Sequence, residues 1–269
     1  LDSYTLAMIG NVALTALAFG LFLDPFDWWG GDDDEDEDIF VEPADPDETV
    51  ALTPGDDVFS GGSGDDTVFA DAGDDEVSGE AGDDALFGGE GADLLDGGSG
   101  DDRLDGNAGD DRLLGGEVDD TLTGGAGTDT LDGGAGNDLL ISDRLDENAD
   151  FSRGGAESLS GGTGDDVLIM SSGDSASGGE GEDAFGLVVV GEEPEPAVIE
   201  DYDTATESLA IYYDPAEFDD QAPELSLSVD SDNDLTQVLL NGQEVLTLQG
   251  VQDLDPETIE LLTEEQLAG

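Results

Sequence analysis

The 269-residue sequence carries 72 acidic residues against 4 basic ones and no histidine, a formal net charge of −68. A chain this acidic repels phosphate backbones, so no nucleic-acid binding is expected and cations are its natural partners. Cysteine is absent, which excludes disulfides and thiolate metal sites, and 41 glycines with 6% aromatics leave little for a conventional core.

The first zone, residues 1–30, contains Tyr4 to Leu23, twenty residues without a charge, long enough to cross a bilayer as a helix. Phe22, Phe26, Trp28 and Trp29 lie at its downstream end, where an aromatic belt would meet the headgroups. Ala16-Leu17-Ala18 offers a small-x-small site for a cleaved signal peptide. That site falls inside the apolar run and no basic residue precedes it, so the segment reads as an uncleaved anchor, with the membrane as a candidate partner through residues 4–23. Residues 31–54 follow with seven consecutive acids, Asp32 to Asp38, and with Pro43 and Pro46, a composition that stays solvated and reads as a linker.

Residues 55–187 are a repeat zone. Asp57, Asp66, Asp75, Asp84, Asp93, Asp102, Asp111, Asp120, Asp129 and Asp138 recur at a spacing of nine. Two residues after each stands an apolar residue: Phe59, Val68, Val77, Leu86, Leu95, Leu104, Leu113, Leu122, Leu131 and Leu140. A glycine pair and a fourth-position glycine complete the unit G-G-x-G-x-D-x-U-x, where U is a large apolar residue. Glycines turn the backbone so that carbonyl oxygens face a gap, and x-U-x is a short strand, predicted at three residues, with U pointing inward. Each unit makes half a coil, so a coil holds two units and a parallel sheet forms on either side. The Asp residues then stack along two edges, Asp57 to Asp129 on one and Asp66 to Asp138 on the other.

Carboxylates stacked about 4.8 Å apart repel unless a cation lies between them. A hard divalent ion there would take Asp oxygens from adjacent turns and glycine carbonyls from both, an all-oxygen shell that suits Ca²⁺. The candidate carbonyl donors are Gly88, Gly97, Gly124 and Gly133 from the pairs, and Gly91, Gly100, Gly109, Gly127 and Gly136 at the fourth position. Same-edge neighbours from Asp57 to Asp138 define eight gaps, so about eight or more Ca²⁺ ions are expected. Ordering this glycine-rich zone costs far more than ten apolar side chains return, which predicts a roll that folds only on binding metal. The second acids of the units, such as Asp56, Asp65, Asp74, Asp83, Asp101 and Asp110, read as a solvated outer surface.

The unit resembles the nonapeptide repeat of the RTX, or hemolysin-type, calcium-binding family. The resemblance implies an all-β, right-handed parallel β-roll, calcium between adjacent turns, and export to a secreted or cell-surface location. Several units depart from the pattern. Val118 replaces a fourth-position glycine, and Asp71, Glu80 and Asn107 interrupt the pairs. After Asp138 the register slips, with Gly155 nineteen residues beyond Gly136, so Asp143 to Gly154, with Arg144 and Arg153, reads as a bulge or loop. The pattern resumes with Gly155 to Leu159, continues through Asp166 and Asp183 as further metal candidates, and has Ser175 where an Asp is expected, which predicts a weak turn there.

Residues 188–269 turn to an ordinary β pattern, with strands expected at 187–190, 198–202, 208–213, 225–230, 236–240 and 244–248 and a hairpin at Asn241-Gly242. Ile199 to Tyr202 and Glu207 to Ile211 resemble the strands that close the roll in serralysin-like proteins, a cap such as an open solenoid end requires. Asp230 to Asp234 reads as a hairpin turn, because Leu235 stands where an EF-hand loop needs glycine. Asp255 and Pro256 predict a terminal helix through Gln266. No catalytic residue is expected: without histidine there is neither a zinc-protease motif nor a Ser-His-Asp triad, and no G-x-S-x-G occurs. The sequence therefore reads as a non-catalytic calcium-binding surface or spacer module with no assignable protein partner, the alternatives being an adhesion or accessory protein and, less favoured, a carboxylate-dependent hydrolase.

Overall fold

The structure, a computed structural model, describes residues 40–41, 47–143, 155–189, 194–218 and 221–263. The apolar run 4–23, the acidic run 32–38, Arg144 and Arg153 lie outside the described residues. Among the described residues no helix is long and apolar enough to cross a membrane.

The chain alternates between two sheets, one strand per nine-residue unit. One sheet stacks Val58–Ser63, Glu76–Ala81, Leu94–Ser99, Arg112–Glu117, Thr130–Ala135, Ser158–Thr163, Ser175–Glu180 and Ala197–Ile199 in parallel. The other stacks Thr49–Ala51, Thr67–Ala72, Ala85–Glu90, Arg103–Ala108, Thr121–Ala126, Leu139–Ile141, Val167–Met170, Ala184–Val189, Ser208–Tyr213 and Ile259–Thr263. Leu104 pairs with Leu86 below it and Leu122 above it, so one coil is two units, as the spacing predicts. The architecture is an all-β parallel β-roll.

Most repeat strands are six residues long, not three. In Arg112–Glu117 the outward Arg112 is followed by buried Leu113, half-buried Leu114 and buried Gly115. Period-two alternation thus turns both U and the first glycine inward, and the ladder continues past U through the second glycine. The ten U residues form one continuous buried column pair, none more than 2% exposed.

Beyond Asp138 the register is not slipped by one residue. Leu131 pairs with Leu159 and Leu140 with Leu168, so the stack resumes in phase with a coil of 28 residues in place of 18. The next coil is one residue shorter than the repeat, with Leu159 on Ala176 and Leu168 on Phe185.

Ser208–Tyr213 and Leu225–Asp230 have the predicted limits, and the hairpin at Asn241-Gly242 has positive φ at both residues (51° and 84°), as its tight turn requires. Leu225–Asp230, Leu235–Leu240 and Gln243–Gln249 form an antiparallel meander on the end of the first sheet. At 230–234, Asp230 Oδ1 accepts from Asp232 N and the chain reverses between strands, so the acidic run is a turn. The predicted terminal helix is corrected. Asp255 and Pro256 start only a 3₁₀ turn, Pro256–Thr258, after which Ile259–Thr263 is a strand paired in parallel with Leu209–Tyr213. Ile259 there covers the end of the U column, and this open sheet edge overrides the local capping signal.

Candidate metal centres

The strand of each unit begins one residue after the Asp, so the Asp N–H has no strand partner of its own. A side chain supplies one: Asp57 N donates to Asp75 Oδ1 at 2.7 Å, Asp84 N to Asp102 Oδ1 at 2.7 Å and Asp111 N to Asp129 Oδ1 at 2.8 Å. The same bond runs along both edges and on one of them crosses the long coil, from Asp138 N to Asp166 Oδ1 at 2.8 Å, and then from Asp166 N to Asp183 Oδ1 at 2.9 Å. All twelve Asp residues singled out by the sequence are therefore buried in two ladders, each no more than 3% exposed.

One oxygen of each is thereby satisfied and the other is not. Oδ2 of Asp66, Asp75, Asp84, Asp93, Asp102, Asp111, Asp120, Asp129, Asp138, Asp166 and Asp183 is buried without a hydrogen-bond partner. Asp57 differs, because its Oδ2 accepts from both N and Oγ1 of Thr53 at 2.8 Å, where Leu52-Thr53-Pro54 replaces the glycine turn. A buried acceptor without a donor is costly, and a charged one more so.

Glycines frame the orphaned oxygens of every unit but that of Asp75, where Ala70 stands at the first-glycine position. A methyl group at Gly124 would lie 2.5 Å from Asp129 Oδ2 and 2.8 Å from the carbonyl oxygen of Ser142 one coil on. Gly97, with Asp102 and the Gly115 carbonyl, and Gly133, with Asp138 and the Gly161 carbonyl, repeat the arrangement, and Gly88 borders Asp93 in the same way. In turn the carbonyls of Gly97, Gly124 and Gly133 face Asp84, Asp111 and Asp120 across the gap. Side chains at Gly91, Gly100, Gly109, Gly127 and Gly136, all at positive φ, would collide with the carbonyl of the residue one coil earlier, so these positions serve close backbone stacking.

Two kinds of acceptor thus face each other with no proton between them. Burial first, and neighbouring carboxylates next, push Asp93, Asp102 and Asp111 up to about 6 and Asp120 up to about 7, against the opposing hydrogen bond from the preceding coil. Among the described residues no three acidic side chains converge on one metal-sized point. The available shell is carboxylate oxygen plus backbone carbonyl oxygen, without nitrogen or sulfur, and this donor set fits Ca²⁺ and disfavours zinc or copper. The orphaned Oδ2 atoms are the acceptors such an ion would satisfy.

The ladder ends at Asp183. Asp201 occupies the next turn and accepts from Gly178 N, Gly179 N and Ser177 Oγ, so its carboxylate closes the glycine turn by hydrogen bonds. Glu207 follows Asp183 in the ladder position and is pushed up to about 7, chiefly by burial.

Three buried acids were missed by the sequence reading. Ser175 is not in the Asp position: it pairs with Ser158 on the outward side, and Asp174, fully buried, is the ladder residue. Glu157 takes the place of Asp above Asp129, and Asp143 enters from the long coil. Counting back two residues from Leu159 would have found Glu157, whereas Ala176 is too small to mark itself as U. The outer acids also have a structural task. Asp56, Asp65, Asp74 and Asp83 accept through Oδ1 from the N–H of Asp74, Asp83, Ala92 and Asp101, one coil later, a second ladder running opposite to the inner one.

The family profile described as the RTX calcium-binding nonapeptide repeat (4 copies) matches residues 52–86, 78–113, 87–122, 105–140 and 151–169. Comparison with curated proteins finds no match. Among solved structures, the extracellular lipase LipA from Serratia marcescens is similar at 14% identity and a TM-score of 0.28, over 82% of this chain and 41% of the lipase chain. This chain thus spans about two fifths of the length of that lipase.

Proposed function

We propose, from the premise that residues 52–169 carry RTX calcium-binding repeats, that this chain is an exported, non-catalytic calcium-binding protein whose roll folds on the metal and serves as a surface or spacer module. The observation that carries the reading is the row of buried Oδ2 atoms without partners, all but that of Asp75 set against a glycine turn. Asp66, Asp75, Asp84, Asp93, Asp102, Asp111, Asp120, Asp129, Asp138, Asp166 and Asp183 are the proposed carboxylate ligands, with carbonyls of the first glycine of each pair completing the shell. Bound calcium supplies the positive charge that lets adjacent ionised carboxylates remain stacked. The side chains hold the turns in register through Oδ1, and the glycines leave room for the ion.

Two further features support export. Calcium is millimolar outside cells, where sites with Kd on the order of 10⁻⁴–10⁻³ M suffice. The apolar run 4–23 supports delivery to, or tethering at, a membrane. The non-catalytic reading rests on the lack of histidine and of a nucleophile motif in the sequence. Circular dichroism of the full chain, titrated with calcium after chelator, tests the proposal: most of the sheet signal should appear with millimolar calcium and be lost on chelation. An unchanged sheet spectrum in chelator would overturn it.

A further inference from the structure

At the 28-residue coil the ladder changes its chemistry, and here we infer an additional divalent-cation site, formed by Asp143 and Glu157 and braced by Asp174. It rests on the calcium reading of the roll but differs from the repeat sites in its ligands. Asp143 stands one coil beyond Gly125, in the slot that holds Asp71, Gly89 and Asn107 in the earlier coils, directly after Ser142, whose carbonyl accepts from Gly125 N. Glu157 stands where they have Asp. Glu157 is 1% exposed, Asp143 7% and Asp174 fully buried.

The three are not equivalent. Asp174 has both oxygens engaged, Oδ1 by Glu157 N at 3.1 Å and Oδ2 by Ser171 N at 2.6 Å. Asp143 Oδ2 and both Glu157 oxygens are buried and accept no hydrogen bond. Three unsatisfied carboxylate oxygens from two side chains are thus held beside a third carboxylate that is fixed in place. A buried arrangement of this kind needs either a positive partner or a proton shared between Glu157 and Asp174. In a repeat unit a single orphaned Oδ2 faces a backbone carbonyl. Here the acid in that slot is buried, unlike exposed Asp71, and the longer Glu157 takes the ladder position. Greater ligand charge makes this the tighter site, because affinity at oxygen-ligand sites rises with the number of charged ligands. Its place between Leu131 and Leu159 also makes it the weld between the two blocks of repeats.

The test is the number of calcium ions bound by the full chain, counted by native mass spectrometry and followed by titration calorimetry. The double variant D143N/E157Q should bind one ion fewer than wild type and lose the tightest step of the titration, while still gaining sheet signal in saturating calcium. An unchanged count with the tightest step intact would overturn the site, since a hydrogen-bonded acid pair survives Glu157→Gln. Should the double variant not fold in calcium, D143N alone is counted by the same two criteria. A wild-type chain that binds no calcium would instead sink the reading of the whole roll, an outcome distinct from an unchanged count in the variant.

Discussion

The roll between Asp57 and Asp183 and the cap between Ala184 and Thr263 share the same two sheets, with an antiparallel meander added in the cap, yet their interiors differ. In the roll a strand such as Arg112–Glu117 buries one leucine and one glycine. In the cap Ala184–Val189 buries Phe185, Leu187, Val188 and Val189, with Leu187 and Val188 in place of the glycine pair. Tyr202 packs edge-on against Phe185 at 5.9 Å and Tyr213 against Phe218 at 5.6 Å. The cap thus fills its interior with apolar side chains, whereas the roll pairs a single apolar column with buried carboxylates. Hydrophobic burial needs no counterion, and a carboxylate stack does.

The comparison breaks most visibly when the ion is removed. Limited proteolysis of the full chain in chelator should degrade the repeats while leaving a protected fragment that contains residues 184–263, and millimolar calcium should protect both. A roll that resists protease in chelator would mean that its leucine column suffices.

Acid offers a partial substitute for the metal. Asp75, Asp93, Asp102, Asp111, Asp129 and Asp166 are pushed up to about 6 and Asp120 up to about 7, first by burial and then by like charges. Their unfolded values are about 3.9, so the metal-free fold takes up protons. Its stability is greatest below about pH 4 and declines as pH rises through about 6–7. Calcium requires the ionised form, so its affinity moves the opposite way. Circular dichroism in chelator should therefore show more sheet at pH 5 than at pH 7.5, and the calcium midpoint should rise as pH falls. A midpoint independent of pH over this range would show that the ladder carboxylates are not the ligands. The cap, with most of its interior apolar, should respond less.

The smallest effect is a repair. Val118 adopts a φ of 85° at a position where the other coils have glycine, and it is half exposed. A β-branched residue in that region stores about 1–3 kcal/mol. Val118→Gly should stabilise the calcium-loaded roll by about 1 kcal/mol after the entropic cost of glycine. A rise of a few degrees in thermal midpoint would register it, and a lower midpoint would mean that the valine packs usefully.

Most of the roll was legible because each unit repeats one set of instructions: Asp before the strand, U inside it, glycines where the backbone must turn. The spacing located every inner carboxylate from Asp57 to Asp138 and every U residue. It failed where one landmark was weak. With Ala176 as the apolar residue, Ser175 was taken for the ladder position that belongs to Asp174. The length of the strands was missed because glycine, although it faces inward, carries no apolar signal. The outer ladder was missed because an exposed Asp looks the same in sequence whether it faces water alone or holds the next coil. At the C-terminus, Asp255-Pro256 carries a true local start signal, and the uncovered edge beside Ser208–Tyr213 outweighs it.

The inner ladder also sets the length of the molecule. Each closed coil consumes eighteen residues, which fully extended span at most roughly 60 Å, and contributes only about one strand spacing, 4.8 Å, along the axis. Every coil that closes therefore reels in more than ten times the length it leaves behind. A chain tethered at one end would draw whatever is attached to the other toward the tether as calcium rises, and let it out again when calcium falls.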